Sequence, residues 1–161
     1  MTEYPNGQHA EPPRSSAWPH VEKTVLHLHP WCAACGPDKP VKGLQVHHVI
    51  PFHFATALGR PDLELDPRNL IVLCETEHND PEANHHLAVG HLGNFKSAGN
   101  LHAFEDAVTF AGMSAAQIEA DPRWLARRAT MLPDLDKMTD DQKAAFRALM
   151  DATVPLQAAA A

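Results

Sequence analysis

A chain of 161 residues with 44% hydrophobic and 20% charged residues has room for one domain, or one small domain with an appendage, and argues against wholesale disorder. No apolar run approaches bilayer-spanning length and residues 1–14 lack the apolar stretch of a secretion signal, so a cytoplasmic protein with no membrane partner is the expectation. The formal net charge of −7 runs against a simple nucleic-acid binder, and the acid concentrates in residues 61–110, which also hold many of the twelve histidines.

Residues 1–15 read as a disordered arm, with Pro5, Asn6, Gly7, Pro12 and Pro13 and no periodic apolar face. Ser16 is placed to cap a helix over about 17–28, with Trp18, Val21, Val25 and Leu28 along one side and Pro30 ending it. Cys32 to Gly36 form a tight knuckle. Leu44-Gln45-Val46 begins a strand that runs into His47-His48 and is limited by Pro51. A loop from Phe52 to Pro67 leads to a second, almost wholly apolar strand over Asn69 to Cys74, giving a hairpin-like pair. Glu75 to Ala83 is acidic and turn-like. A helix then starts near Asn84-His85-His86, or at Pro81 if Asp80 caps it, and Gly90 or Gly93 ends it.

Beyond Asn100 the pattern is helical. Leu101, Phe104, Val108 and Ala111 recur at helical spacing, Asp121-Pro122 is a cap with a first-turn proline, and Thr139-Asp140-Asp141-Gln142 is a capping box ahead of Phe146, Leu149 and Met150. The expected organisation is α+β: the arm, a core over 16–100, a helical extension over 101–156 and a frayed tail over 157–161.

Three cysteines cannot all pair, and Cys32-x2-Cys35 in a chain without an export signal reads as half of a metal site. A structural Zn2+ needs four donors in a tetrahedron; Cys74, at the end of the second strand, is the third. The fourth must be a histidine, with His78 and His85 both placed to serve. In His47-His48, adjacent strand residues point to opposite faces, so one can bind a metal while the other meets a substrate. Asn69, His85, His86 and His91 follow at the ends of the next two elements and outline a second metal pocket. Lys96, Arg68, Arg60 and Lys23 could meet phosphates, although each reads more readily as solvated surface charge.

The ordered series Cys32-x2-Cys35, Val46-His47-His48-x2-Pro51, Asp66-Pro67-Arg68-Asn69-Leu70-Ile71-Val72-Leu73-Cys74 and His86 resembles the HNH endonuclease signature, in its zinc-knuckle branch, over roughly residues 18–100. Flanking phrases, including Gly90-His91-Leu92-Gly93-Asn94-Phe95-Lys96-Ser97, look like a bacterial and phage subgroup. The resemblance implies a ββα-metal fold and metal-dependent hydrolysis of DNA. It implies His48 as general base, Asn69 fixing the loop and orienting that base, and His47 and His86 as metal ligands, with His91 a further candidate. It also favours His85 over His78 at the zinc, because the family usually has a cysteine immediately before its final histidine. The implied cofactors are a structural Zn2+ and a catalytic divalent ion (Mg2+, Mn2+, Ni2+ or Zn2+), an all-imidazole site leaning away from Mg2+. On a continuous α-helix His86 and His91 lie about 140° apart, so His91 joins the same metal only if Gly90 breaks the helix. The alternatives are a zinc-stapled binding module that does not cut and a small thiol redox protein with a free Cys-x2-Cys.

Overall fold

The computed structural model describes residues 12–75 and 84–160. Two short strands, β1 (Leu44–His48) and β2 (Leu70–Cys74), pair antiparallel, with Leu44 opposite Cys74 and His48 opposite Leu70. A two-stranded sheet is marginal alone, and here both faces are covered. Leu70 and Val72 pack with Val25 of helix α1 (Trp18–Leu28) on one side. Ile71 and Leu73 pack on the other against Ala88, Val89 and the helices that follow. Burial on both faces explains why the β2 sequence is an unbroken apolar run rather than an alternating one.

Helix α1 occupies the expected span, but Ser16 is not its cap. Ala17 stands at the N-cap without a side-chain bond, and Ser15 Oγ accepts from the Ala17 N–H at 3.2 Å. Val25 is buried, whereas Leu28 is 61% exposed. The knuckle is fixed from two sides: Ala33 N–H donates to Val72 O of β2 at 2.9 Å, and Gly112 N–H donates to Ala34 O at 2.9 Å. Gly36 closes it at φ +84°, a conformation that suits glycine.

The expected loop from Phe52 to Pro67 contains helix α2 (Phe52–Ala57) and 3-10 turns at Pro61–Glu64 and Pro67–Asn69. Pro51 O accepts the first helical bond, from Ala55 N at 3.0 Å, while Phe52, Phe54 and Ala55 are buried. Tertiary burial therefore makes a helix of a segment too short to show periodicity.

After β2 the chain forms a single π-helical turn, His86–Gly90, instead of an α-helix. Any earlier helix start near Pro81 lies outside the described residues. Three short helices follow: α3 (Ala103–Thr109), α4 (Ala115–Glu119) and α5 (Pro122–Ala129). The face of α3 is not the expected one. Ala103, Asp106, Ala107 and Phe110 point inward, and Val108 is 77% exposed. Small alanines let α3 approach the core closely, and they outweigh the larger side chains that set the sequence pattern.

Asp121 caps α5 as expected, its carboxylate accepting from Arg123 N–H. Thr139 and Gln142 form the reciprocal capping box of helix α6 (Asp140–Ala160), with bonds of 2.9 and 3.1 Å. Ser114 and Gln117 form a second capping box at α4, which the sequence analysis did not single out. Helix α6 returns to the core through Phe146, whose ring lies 5.1 Å from that of Phe54 in α2. None of the described helices is long and apolar enough to cross a membrane.

Phe146 and Phe54 are both fully buried and join the far end of the chain to the loop beside β1. Phe146→Ala should cost about 3–5 kcal/mol of unfolding free energy, as buried aromatic truncations do. Urea denaturation followed by tryptophan fluorescence measures it. A loss below about 1 kcal/mol would mean that α6 is not integrated with the core.

Candidate metal centres

Cys32, Cys35, Cys74 and His85 converge from the knuckle, the end of β2 and the start of the π-helical turn. His85 Nδ1 lies 3.5 Å from Cys32 Sγ, 3.2 Å from Cys35 Sγ and 3.2 Å from Cys74 Sγ, and the Cys35 and Cys74 sulfurs are 3.9 Å apart. A tetrahedral zinc, about 2.3 Å from sulfur and about 2.0–2.1 Å from nitrogen, sets donor-to-donor edges of about 3.5–3.8 Å. The cluster has the size that can hold such a metal. The His85 tautomer fits too. Its Nε2 is 2.8 Å from Met113 O, and because a carbonyl only accepts, Nε2 carries the proton and Nδ1 offers its lone pair to the thiols.

The thiols show why a cation belongs there. Hydrogen bonding from Cys74 holds Cys32 down at about 3 despite its burial. Burial and then the Cys32 charge push Cys35 up to about 11, while the hydrogen bond to Cys32 and then burial push Cys74 upward. Without a cation one thiolate forms at the expense of the other two; a divalent metal lets all three ionise. The third sulfur and the imidazole distinguish this cluster from a two-cysteine redox motif. His78, the other candidate for the fourth position, lies outside the described residues.

A second cluster joins His47 of β1 with His86 and His91 at the two ends of the π-helical turn. One ligand atom from each lies within 4.8 Å of the others. Ring centroids are 5.1 Å apart for His47–His86, 4.7 Å for His47–His91 and 4.9 Å for His86–His91. The π-turn accounts for the convergence. Its hydrogen bonds run i→i+5, so residues five apart come round to one face. The turn also ends at Gly90, as expected, and His91 follows at φ −116°, outside the helical turn. Gly90 matters too by having no side chain, since a Cβ there would sit 3.2 Å from His47 Cε1 and Nε2.

His47 Nε2 and His91 Nδ1 are buried with no hydrogen-bond partner among the described residues. Each such orphan costs about 1–3 kcal/mol unless something coordinates it. Burial, followed by the charges of His91 and His86, drives His47 well below its ordinary value, and burial likewise pushes His91 down to about 3. Neutral imidazoles with unshared lone pairs are metal donors in waiting. His86 Nδ1 lies 2.5 Å from Glu75 Oε2, a carboxylate contact that orients the ring and leaves Nε2 to face the cluster.

His48 points to the opposite face of β1, its ring 4.6 Å from that of Trp18 and 6.0 Å from that of Phe52. Its Nε2 lies 2.9 Å from Glu64 O, so the proton is on Nε2 and the lone pair on Nδ1. Burial, only partly offset by the Glu64 carbonyl, lowers His48 to about 4. Asn69, fully buried, knots the loop between the strands. Its Oδ1 accepts from Ile50 N–H at 2.8 Å, and its Nδ2 donates to Ile50 O and Leu63 O at 3.0 Å each. Leu63 immediately precedes the residue whose carbonyl holds His48.

Other parts of the site gave no sequence signal. Glu75 is one acid in an acidic run. The carbonyls of the π-turn are capped by residues further along the chain: Trp124 Nε1 donates to Ala88 O at 2.7 Å, Asn100 Nδ2 to Val89 O at 2.8 Å and Asn100 N to Gly90 O at 2.9 Å. Asn100 is itself bonded to Asp106, which Arg127 grips through two nitrogens. Of the weaker candidates, Arg68 is forked onto Asp66, whereas Lys96 is exposed in the loop beyond His91.

No family model matches the chain, and no curated protein and no solved structure was found to match it.

Purified protein should retain about one tightly held zinc through Cys32, Cys35, Cys74 and His85, and Co2+ in its place should give the absorption of a tetrahedral thiolate site. Cys74→Ser should lose the metal and with it the fold, and strong chelators should unfold the wild-type core. Folded, reduced protein with no metal by elemental analysis would sink this assignment. Gly90→Ala should displace the His47 ring and weaken divalent-ion affinity at the histidine trio about 10–100-fold, leaving the thiolate site filled; isothermal titration with Ni2+ or Mn2+ reads the difference.

Proposed function

We propose that the protein is a metal-dependent endonuclease that hydrolyses DNA phosphodiester bonds on a ββα-metal core of the HNH type, stapled by zinc at the cysteine knuckle. The observation that carries the reading is the pairing, on adjacent residues of one strand, of an imidazole with a fixed lone pair and an imidazole that opens a three-histidine cluster. A scaffold alone has no use for His48 in that tautomer or for two orphaned ring nitrogens in the cluster.

A phosphodiester needs an activated water, neutralised charge and a stabilised leaving oxygen. His48, neutral near pH 7, takes a proton from water on Nδ1 as the water oxygen bonds to phosphorus. The bond from phosphorus to the 3′ oxygen breaks, its electron pair leaves on that oxygen, which takes a proton from solvent water, and the products carry 5′-phosphate and 3′-hydroxyl. General-base help of this kind is worth ~10²–10⁴-fold. The Glu64 carbonyl holds the tautomer, and Asn69 keeps that carbonyl in place through Leu63. His47, His86 and His91 would hold a divalent cation, with Glu75 orienting His86. When bound, that cation supplies positive charge to the phosphate and to the departing oxygen. Three imidazoles favour Zn2+, Ni2+ or a Mn2+-like ion over Mg2+.

The net charge of −7 favours a second reading, a zinc-stapled binding module that does not cut. The two readings part on His48. His48→Ala should reduce plasmid nicking by about 10²-fold or more while leaving divalent-ion affinity at the trio nearly intact. His47→Ala should lower both the rate and that affinity. Nicking by His48→Ala at the wild-type rate would remove His48 from the chemistry. Absence of nicking by the wild-type protein with Zn2+, Ni2+, Mn2+ and Mg2+ would favour the binding module.

A further inference from the structure

Four of the arginines are tied to aspartates. Arg60 pairs with Asp62 and Asp151, Arg68 with Asp66, Arg123 with Asp121 and Arg127 with Asp106. Arg14 differs. It has no carboxylate within ion-pair distance among the described residues, and its guanidinium carbon lies 4.1 Å from the centre of the Phe52 ring and 4.8 Å from that of Trp18. Stacking on ring faces uses none of the five N–H donors of a guanidinium.

The segment bearing Arg14 is anchored rather than loose. The Ser15 N–H lies 3.1 and 3.3 Å from the two carboxylate oxygens of Glu64, a residue whose side chain is thereby occupied with backbone and whose own carbonyl holds His48. Trp18 and Phe52, the rings beneath Arg14, are also the rings that flank His48. One aromatic bracket therefore holds an imidazole with a fixed tautomer and an exposed guanidinium with no carboxylate partner among the described residues. A planar fork of this kind matches two oxygens of a tetrahedral phosphate.

We infer that Arg14 is a phosphate-binding residue of this site, its fork gripping non-bridging oxygens of the phosphodiester on which His48 acts. The inference rests on the nuclease reading and deepens it, by naming a side chain that meets the substrate's charge from the protein side. It also explains how so acidic a chain receives a polyanion: one unpaired cation stands beside the reacting bond, while the paired arginines stay neutralised. Residues near the start of the chain thus belong to the site.

The test uses full-length protein carrying Arg14→Met, which keeps much of the stacking bulk without charge, and Arg14→Lys, which keeps the charge without the fork. Thermal melts check that each is folded. In a His48→Ala background, affinity for a short DNA duplex is measured across a range of salt. Arg14→Met should reduce the slope of log affinity against log salt by about one, and Arg14→Lys should restore it. With His48 intact, Arg14→Met should lower kcat/KM for plasmid nicking by about 10²–10³-fold, and Arg14→Lys should recover only part of that loss. Unchanged slope and wild-type cutting by Arg14→Met would show that Arg14 is packing for the aromatic rings, overturning this inference while the nuclease reading stands. Failure of the wild-type protein to cut under any metal would overturn both.

Discussion

Asn69 holds the end of the sheet at which the chemistry collects. Its amide side chain meets Ile50 from both sides of the peptide and reaches Leu63, while its carbonyl takes the Val49 N–H at 2.9 Å. Four bonds from one buried residue close a loop of nearly twenty residues onto a sheet of only two strands. An unsatisfied amide there would be expensive, so the loop has one arrangement rather than several. The direction of His48 follows from it, since the carbonyl that fixes its tautomer belongs to that loop. So does the position of α2, which begins two residues after Ile50.

The two clusters meet at a single peptide bond. His85 turns to the thiols and His86 to Glu75 and His47, so the start of the π-helical turn is shared between them. Adjacent helical positions diverge by about 100°, enough to send neighbours to separate sites without distorting the chain. The thiolate cluster therefore acts on the histidine trio through geometry: it fixes where the turn begins, and the i→i+5 winding fixes where His91 arrives. Electrostatics works in the same direction. Burial keeps His47 and His91 neutral, so their ring nitrogens stand as donors.

Legibility in the sequence followed chemistry more than shape. The strand pair, the knuckle, Cys74 and the histidines stood out because donor residues at fixed spacing are rare by chance, and the structure brings Cys32, Cys35, Cys74 and His85 together. Helix α2 escaped notice because six residues show no period and its stability comes from burying Phe52 and Phe54. The inward face of α3 was misread because the alanines that let it approach carry less weight in a hydrophobic pattern than Val108, which faces water. The π-turn left no trace, since it is selected by the capping of its carbonyls from distant residues. Glu75 and Arg14 were invisible for a related reason: a single charged side chain acquires meaning only from what folds against it.

The capping of the π-turn bears on how much chain makes a self-sufficient unit. The residues that resemble a nuclease signature end near Asn100, yet Ala88 O is satisfied by Trp124, and the Asn100 amide is steadied by Asp106 and Arg127. A graft of residues 16–100 onto another scaffold would carry every candidate ligand but leave Ala88 O bare, and leave Asn100, which caps the other two carbonyls of the turn, without Asp106 and Arg127 to steady it. The smallest transplantable cassette runs through α5, about a third longer than the motif suggests. In this fold the boundary of the site is drawn by hydrogen-bond supply, well past the last residue that could touch a metal.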